Sequence, residues 1–292
     1  MKRSITFFAG LIASISVWAQ SAMPFVRIDR DPVSLSMGGS QIVSPLYNPA
    51  SASQNNCSEA TISYSLWSPE NFNQNLINAM GYIKAGSNMS VGFALNYDIL
   101  PSYYLTDSAG NESDKTFAPS NLIASAGIGY NINPHFSVGG TIHFALQKNT
   151  EKNTYNSVFA DIIANYITGN LTVSAGILSI GGKVGGTYSL PSSVTSGAVY
   201  KIELGKNTLN ADMELDYFIS GGLSSSIGAE YCFGNKYYAR AGFHYSTDKS
   251  PIPTFLSLGV GINISKISIN IAYITANSII GNSLSIGLGY SF

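Results

Sequence analysis

Charged residues in the C-terminal half of the chain recur at every second position. The clearest run is Asp212, Glu214 and Asp216, and the other members of the set are Lys201, Glu203, Glu230 and Arg240. Residues two apart lie on one face of a β-strand, so these side chains are predicted to share one wall. A wall with an excess of free carboxylates would favour cations. The alternative is a solvated, partly paired polar interior without a specific role.

Histidines raise the question of catalysis. His143 and His244 fall on the same inward parity as those charges, but no motif ties a serine or a carboxylate to either of them. A hydrolytic triad is defined by geometry that sequence does not supply. The spacing of His135, His143 and His244 is not that of a metal site. We therefore expect a non-enzymatic protein without a metal or another cofactor.

The element that would position these residues is a strand of alternating character, clearest at the C-terminus. Leu284, Ile286, Leu288, Tyr290 and Phe292 alternate with serine and glycine. A soluble sheet would expose charged residues on its second face, yet charged residues form only 11% of this chain, against about 25% in soluble domains. The pattern favours a transmembrane barrel with lipid outside and a small polar lumen, over a soluble two-sheet protein.

Fourteen alternating segments follow one another after residue 57. Their predicted cores are 60–66, 79–84, 89–97, 121–132, 136–146, 156–166, 170–179, 194–204, 208–217, 223–233, 237–245, 255–264, 267–274 and 284–292. Every second connection is short, as in outer-membrane barrels, where short turns face the periplasm and longer loops face outward. The sequence thus predicts an all-β, antiparallel, up-and-down barrel of about fourteen strands.

Two short turns predict strand register. Pairing Ile132 with Phe136 around Asn133-Pro134-His135 places Gly129 opposite Gly139 in the lumen. Pairing Phe233 with Tyr237 places Glu230 opposite Arg240 on the inner face. Directly opposed side chains lie about 4.5–5.5 Å apart at Cβ, so the second register predicts an ion pair.

The N-terminal part of the chain does not alternate. Residues 1–19 have the basic start, apolar run and small-residue cleavage site of a secretory signal peptide. Residues 20–56 contain turn and breaker signals, and we expect them to form a hatch in or under the lumen of a barrel spanning 57–292. Paired glycine and Asn-Pro would let it approach the wall closely. Its candidate gating residues are Met37, Gly38, Gly39, Asn48, Pro49 and Ala50. The alternative is a purely structural seal.

Net charge and cysteine content exclude some partners. A net charge of −1 gives no reason to expect nucleic-acid binding. Cys57 and Cys232 could pair in an oxidising compartment, although two unpaired thiols are the simpler interpretation.

Motifs at both ends resemble one family. The run from Arg27 to Gly39 followed by Asn48-Pro49-Ala50, together with Gly228-Ala229-Glu230-Tyr231 and Arg240-Ala241-Gly242-Phe243, is similar to PorV/PorQ-type outer-membrane proteins, relatives of the FadL group. The resemblance implies a FadL-like barrel with a lumenal hatch. It also implies two alternative roles: transport of small hydrophobic compounds, or association with secreted proteins and subunits of the type IX secretion system. The expected location is the outer membrane, in contact with its lipid. The terminal Phe292 resembles the signal read by the outer-membrane assembly machinery.

Overall fold

The computed structural model describes residues 21–68, 73–106, 112–276 and 281–292. The described chain begins with a 3-10 turn at Pro24–Arg27 and two short helices, α1 (Pro32–Ser36) and α2 (Pro49–Gln54). Strands then follow: β1 (Glu59–Trp67), β2 (Gln74–Lys84), β3 (Met89–Ile99), β4 (Tyr103–Thr106), β5 (Glu112–Phe117), β6 (Ser120–Asn133), β7 (Phe136–Lys148), β8 (Thr154–Thr168), β9 (Leu171–Gly181), β10 (Ser193–Leu204), β11 (Asn207–Phe218), β12 (Leu223–Phe233), β13 (Tyr237–Ser246), β14 (Phe255–Ile264), β15 (Ile267–Ala276) and β16 (Asn282–Ser291). The predicted signal peptide, 1–19, lies outside the described residues.

Within the described ranges, fourteen strands form one closed antiparallel barrel. Each barrel strand pairs with its neighbours in sequence, except that β3 pairs with β6 across the β4–β5 hairpin. Strands β1 and β16 pair to close the barrel. Their pairing extends from Glu59 opposite Ser291 to Leu66 opposite Leu284. The predicted all-β barrel of fourteen strands is confirmed, because each predicted core lies on one barrel strand to within one residue at its ends.

The outer face is apolar and the inner face is small and polar. On β16, Leu284 and Leu288 are 46% and 50% exposed, whereas Ser285 is 1% exposed. Exposed aromatic side chains mark both ends of the outer band: Tyr130, Tyr166, Tyr200, Tyr231, Tyr237 and Tyr290 lie towards one end, and Tyr64, Tyr97, Tyr217, Tyr245 and Tyr273 towards the other. Aromatic girdles of this kind flank the apolar band of outer-membrane barrels.

The two ends of the barrel differ in their connections. At one end, here called the turn end, strands such as β14–β15 and β10–β11 are joined by two residues. At the other, here called the loop end, connections such as 182–192 and 247–254 are longer. This asymmetry matches the prediction, and it assigns the turn end to the periplasmic side.

Two local features differ from prediction. The β4–β5 hairpin lies in a segment predicted as a plain loop, since it stands outside the barrel and no lipid imposes alternation on it. The predicted pairing of Ile132 with Phe136 is wrong: Phe136 pairs with Asn133, and Ile132 occupies a bulge. The Asn133 side chain accepts hydrogen bonds from the amides of His135 and Phe136, 2.9 Å each, which closes a shorter turn. Beyond the bulge the register is as predicted.

The breaker signals near the N-terminus begin helices rather than plain turns. Asp31 precedes α1 and its carboxylate accepts from the Ser34 amide at 3.0 Å. Asn48 precedes α2 and accepts from the Ala50 amide at 2.9 Å. Each cap is followed by proline at the first helical position, where the missing N–H costs nothing. Among the described residues, no helix is long and apolar enough to cross a membrane.

Candidate functional site

The segment from Met23 to Asn55, here called the hatch, lies inside the barrel. Leu35, Ile42 and Ala50 are each 1% exposed or less. Helix α1 packs against β13–β16, and α2 packs against β2, β3 and β6–β8. The hatch therefore touches opposite parts of the inner wall, as the predicted lumenal location requires.

Inner-wall glycines provide the space in which α2 fits. A Cβ on Gly129 would lie 1.8 Å from the carbonyl oxygen of Pro49, and one on Gly139 would lie 2.6 Å from the amide nitrogen of Ala50. Gly129 and Gly139 are paired across β6 and β7, as predicted. The candidate residues Pro49 and Ala50 are thus held against a wall that leaves no room for a side chain at Gly129 or Gly139, and Asn48 caps the helix that carries them.

The end of α1 fits the opposite wall in the same way. A Cβ on Gly242 would lie 2.1 Å from the Gly38 amide nitrogen, and one on Gly228 would lie 2.6 Å from the carbonyl oxygen of Met37. Gly38 and Gly39 have φ angles of 80° and 77°, a left-handed conformation that ends a helix with little strain only in glycine. Glycine is therefore required by conformation at Gly38 and Gly39, and by lack of space at Gly228 and Gly242.

Two buried ion pairs join the hatch to the barrel. Arg27 donates to the Asp216 carboxylate at 2.8 Å. Arg30 donates to both oxygens of Asp98, at 2.9 and 2.7 Å, and both side chains are 3% exposed or less. Bidentate pairs fix orientation as well as distance. Sequence reasoning placed Asp216 in the lumen but missed both arginines and Asp98, although two arginines in a lumenal segment require inward carboxylates nearby.

Glu214 contacts the hatch directly. Its carboxylate accepts from the backbone amides of Gln41 and Ile42, 2.7 Å each, and from the Ser40 hydroxyl at 3.3 Å. The loop that follows, Val43–Leu46, is different, because its backbone hydrogen bonds among the described residues stay within the hatch. Examples are the Ser44 amide to the Gln41 carbonyl and the Asn48 amide to the Ser44 carbonyl.

Tyr47, at the end of the hatch loop, forms hydrogen bonds with the segment that precedes α1. The Tyr47 hydroxyl donates to Asp29 at 2.5 Å and accepts from the amides of Arg30 and Asp31. Burial raises the pKa of the Asp29 carboxyl above its ordinary value. Burial, followed by the neighbouring Asp29 carboxylate, raises the pKa of Asp31 to about 7. The hatch is therefore a compact unit in which burial makes both carboxyl groups harder to ionise than free ones.

A cavity of about 90 Å³, here called the outer cavity, lies between the hatch and the wall formed by β2, β3 and β6–β9. Its wall includes the apolar side chains of Met80, Ile123, Phe159, Ile163 and Leu178, and the polar side chains of Asn96, Ser125, Thr141, His143 and Asp161. Hatch residues close its other side, among them Arg30, Pro45 and Tyr47. The inward parity predicted for His143 is confirmed, whereas Ser125 and Asp161 beside it were not predicted.

A larger cavity of about 600 Å³, here called the inner vestibule, opens at the turn end beneath the hatch. The predicted lumenal residues Lys201, Glu203, Asp212 and Glu230 line it. Lys201 and Glu203 form an exposed pair at 3.2 Å. Pro45 lines both the inner vestibule and the outer cavity, so the loop around it separates the two spaces.

The predicted Glu230–Arg240 ion pair is confirmed. The two residues are opposed across β12 and β13, and the Arg240 guanidinium donates to Glu230 at 2.6 Å. Asn210 donates to the second Glu230 oxygen, and Arg240 also donates to Asn270, 2.9 Å each. The predicted charged set therefore divides: Glu214 and Asp216 hold the hatch, Glu230 and Arg240 pair within the wall, and the rest line the inner vestibule.

The described part of the chain contains neither a disulfide nor a candidate metal site. Cys57 is exposed and Cys232 is buried, and both are free thiols. The described residues contain no group of three or more histidine, cysteine or acidic side chains arranged to hold a metal ion.

A closed fourteen-stranded barrel with an apolar belt and a lumenal hatch defines a plugged barrel of the outer-membrane class. Residues 79–292 match the model of the family described as outer membrane protein beta-barrel domain. The chain belongs to this family, whose description corresponds to an outer-membrane location. No curated protein matches the chain in sequence.

Solved structures share the fold. The toluene transporter TbuX of Ralstonia pickettii superposes with a TM-score of 0.65 at 14% identity, covering 91% of this chain and 99% of that one. The Pseudomonas putida toluene transporter TodX gives 0.60 at 13% identity, covering 88% and 96%. The CymD monoaromatic hydrocarbon channel gives 0.58 at 13% identity, covering 91% and 97%. At such identities the likeness establishes the FadL-like fold and nothing finer.

Proposed function

We propose that this protein is a non-enzymatic channel that passes small hydrophobic compounds across the outer membrane. The observation that carries this proposal is the division of the lumen into two cavities by a single loop, in which Pro45 faces both. A displacement of that loop would join the outer cavity to the inner vestibule. The route would then run from an apolar pocket to a polar, periplasmic opening.

The rest of the hatch would serve as a fixed frame for this gate. Met37 and Gly38 at one end, and Pro49 and Ala50 at the other, lie against wall glycines that allow little movement, and Gly39 and Asn48 adjoin them in the chain. Between them, Val43–Leu46 has only hydrogen bonds internal to the hatch among the described residues. In this proposal the six candidate gating residues act as hinges and anchors, and the loop moves.

The substrate class follows from the lining and is supported by the relatives. Large apolar side chains such as Ile163 and Leu178 line the outer cavity, and burial of apolar surface contributes about 25 cal/mol per Å². TbuX and TodX are toluene transporters and CymD is a monoaromatic hydrocarbon channel. A pocket of about 90 Å³ is suited to molecules of one small ring rather than to long chains.

The finer family assignment is also part of this proposal. PorV/PorQ-type membership rests on the motifs at the two chain ends, since neither the matching family nor the structures compared above carry that name. The alternative role in type IX secretion has no specific observation in its favour. We further propose removal of residues 1–19, a lipid-embedded barrel at 57–292, and recognition of Phe292 by the assembly machinery.

The channel is tested by uptake of radiolabelled toluene into vesicles whose outer leaflet is lipopolysaccharide, with and without the purified full chain. We expect the protein to accelerate uptake, and Pro45→Trp to abolish most of that acceleration by filling the space between the cavities. Pro101→Trp, at an exposed position in the connection between β3 and β4, adds the same bulk outside both cavities and should leave uptake unchanged. Heat-modifiable migration on gels verifies that each barrel is folded.

Uptake no faster than in empty vesicles would overturn the channel proposal. Equal uptake by the wild type and a folded Pro45→Trp variant would overturn the assignment of the gate.

A further inference from the structure

The polar wall of the outer cavity contains a chain of three hydrogen-bonded side chains from adjacent strands. The Ser125 hydroxyl oxygen lies 2.7 Å from His143 Nδ1, and His143 Nε2 lies 3.1 Å from the Asp161 carboxylate. Ser125 and His143 are directly opposed across β6 and β7. The imidazole stacks on Phe159 with the ring centroids 4.6 Å apart, and Asp161 is held by the Ser179 amide at 2.6 Å. All three side chains are therefore fixed in place.

The direction of the hydrogen bonds in this chain follows from Asp161. An ionised carboxylate only accepts hydrogen bonds, so His143 Nε2 carries the proton that is shared with it. In the neutral imidazole the other nitrogen then accepts, and Ser125 donates to Nδ1. The Ser125 oxygen can therefore still accept a hydrogen bond from a further donor, and Ser125 lines the outer cavity.

Two other polar side chains of the same wall lack partners. Asn96 Oδ1 and Thr141 Oγ1 are buried and have no hydrogen-bond partner among the described residues, and both residues line the outer cavity. An amide oxygen is an acceptor only. A buried polar atom without a partner costs roughly 1–3 kcal/mol, so a molecule that donates a hydrogen bond would be stabilised here.

The charges around the cavity disfavour an anion. The two arginines on the hatch side, Arg27 and Arg30, are paired with Asp216 and Asp98. Asp161 contributes a further carboxylate to the wall. A ligand carboxylate would meet acceptors and no unpaired cation among the described lining residues. A neutral ligand meets no such penalty.

We propose that the outer cavity selects small neutral compounds that carry a hydroxyl group on a single apolar ring, that is, phenol-like molecules, over plain hydrocarbons and carboxylates. The hydroxyl donates its single proton to the Ser125 oxygen, with Asn96 Oδ1 as a second, weaker acceptor of the same proton, while the ring packs against apolar side chains such as Ile163. The proposal rests on the proposed channel in that it names the preferred class of permeant. It concerns binding, and binding can be measured without flux.

The test is equilibrium dialysis of the full chain in lipid nanodiscs against radiolabelled phenol, toluene and benzoate, each corrected for partition into empty nanodiscs. We expect phenol to bind more tightly than toluene and benzoate to bind least. Ser125→Ala should weaken phenol binding about tenfold, the effect of one hydrogen bond of roughly 1.4 kcal/mol. Toluene binding should stay unchanged.

Ser226→Ala is the matched control, because Ser226 makes the same contact, 2.9 Å to Nδ1 of His244, but does not line the outer cavity. It should leave phenol binding unchanged. Asn96→Leu, which removes an acceptor at similar volume, gives a second and independent variant and should also lower the phenol preference. Phenol bound no more tightly than toluene, or equal phenol binding in Ser125→Ala, Asn96→Leu and Ser226→Ala, would overturn the proposal.

The two proposals can fail separately. Phenol binding that depends on Ser125, without protein-dependent uptake of toluene or phenol, would refute the channel and support the site. Protein-dependent uptake of toluene without any phenol preference would support the channel and refute the site.

Discussion

Adding one methyl group at Gly139 should loosen the hatch at α2 and nowhere else. The Cβ of an alanine at this position would lie 2.6 Å from the amide nitrogen of Ala50 and 3.1 Å from the Pro49 carbonyl carbon. Both atoms belong to the backbone, so no side-chain rotation can relieve the contact. The hatch or the strand has to move.

The neighbouring residue supplies a matched control on the same strand. Gly140 points to the outer face, and a Cβ there would meet only the Asp161 carbonyl oxygen at an ordinary 3.6 Å. Gly140→Ala makes the same chemical change in the same β7 backbone without touching the hatch. Any effect of Gly139→Ala beyond that of Gly140→Ala is therefore due to the lumenal contact.

The expected size follows from the cost of inserting a methylene group into a packed region, about 1–3 kcal/mol. Since 1.4 kcal/mol is a factor of ten, opening of α2 should become about 5- to 150-fold more frequent. Hydrogen exchange read by mass spectrometry on peptides covering Pro49–Gln54 measures this directly. Peptides covering α1 should exchange as in the wild type, because α1 packs on the opposite wall. Identical exchange of α2 in the two variants would refute the close fit.

Two further predictions concern charge. Glu230→Gln and Arg240→Met should each destabilise the barrel by more than the roughly 0–1 kcal/mol of an exposed pair. The reason is that the two side chains are only 14% and 4% exposed, so each change leaves a buried charge without its partner. In urea unfolding the double variant should recover part of the lost stability, and strictly additive losses would contradict the coupling. The pKa of Asp31 is raised from 3.8 to about 7, so the contribution of this group to hatch stability is fully present below pH 3.8 and is lost as pH rises towards 7. Hydrogen exchange of α1, corrected for intrinsic rates, should therefore accelerate over this range in the wild type but less in Asp31→Asn. Parallel pH profiles of the two proteins would contradict this prediction.

The barrel was predictable because lipid imposes a strict rule on every strand. The alternation of apolar and small residues predicted which side chains of β16 face outward. The short turn between β12 and β13 predicted the register that pairs Glu230 with Arg240. The rule fails where lipid is absent. The β4–β5 hairpin has no apolar row, and the Ile132 bulge depends on a side chain closing its turn. Local patterns therefore predicted the wall and missed its exceptions.

The contents of the lumen were harder to predict, because their partners are remote in sequence. Arg27 and Asp216 are separated by 189 positions, and Ser125, His143 and Asp161 come from three strands with no shared motif. One signal was present and unused. Glycines at inward positions of neighbouring strands, such as Gly129 and Gly139, mark places where something inside approaches the backbone closely. They therefore indicate, from the sequence alone, which part of the wall a lumenal segment contacts.

The contacts that hold the hatch also bear on how the proposed channel would open. Release of the whole hatch would break two buried ion pairs, the three hydrogen bonds to Glu214 and the close fit to four wall glycines. Movement of Val43–Leu46 would break none of the two ion pairs and none of the Glu214 bonds, because those contacts are made by residues before the loop. In the proposed channel the lower-energy opening is therefore local, and its width would be set by a loop of four residues. Such an opening suits a single-ring molecule and is too narrow for a folded protein, which favours small-molecule transport over a secretion conduit through this lumen.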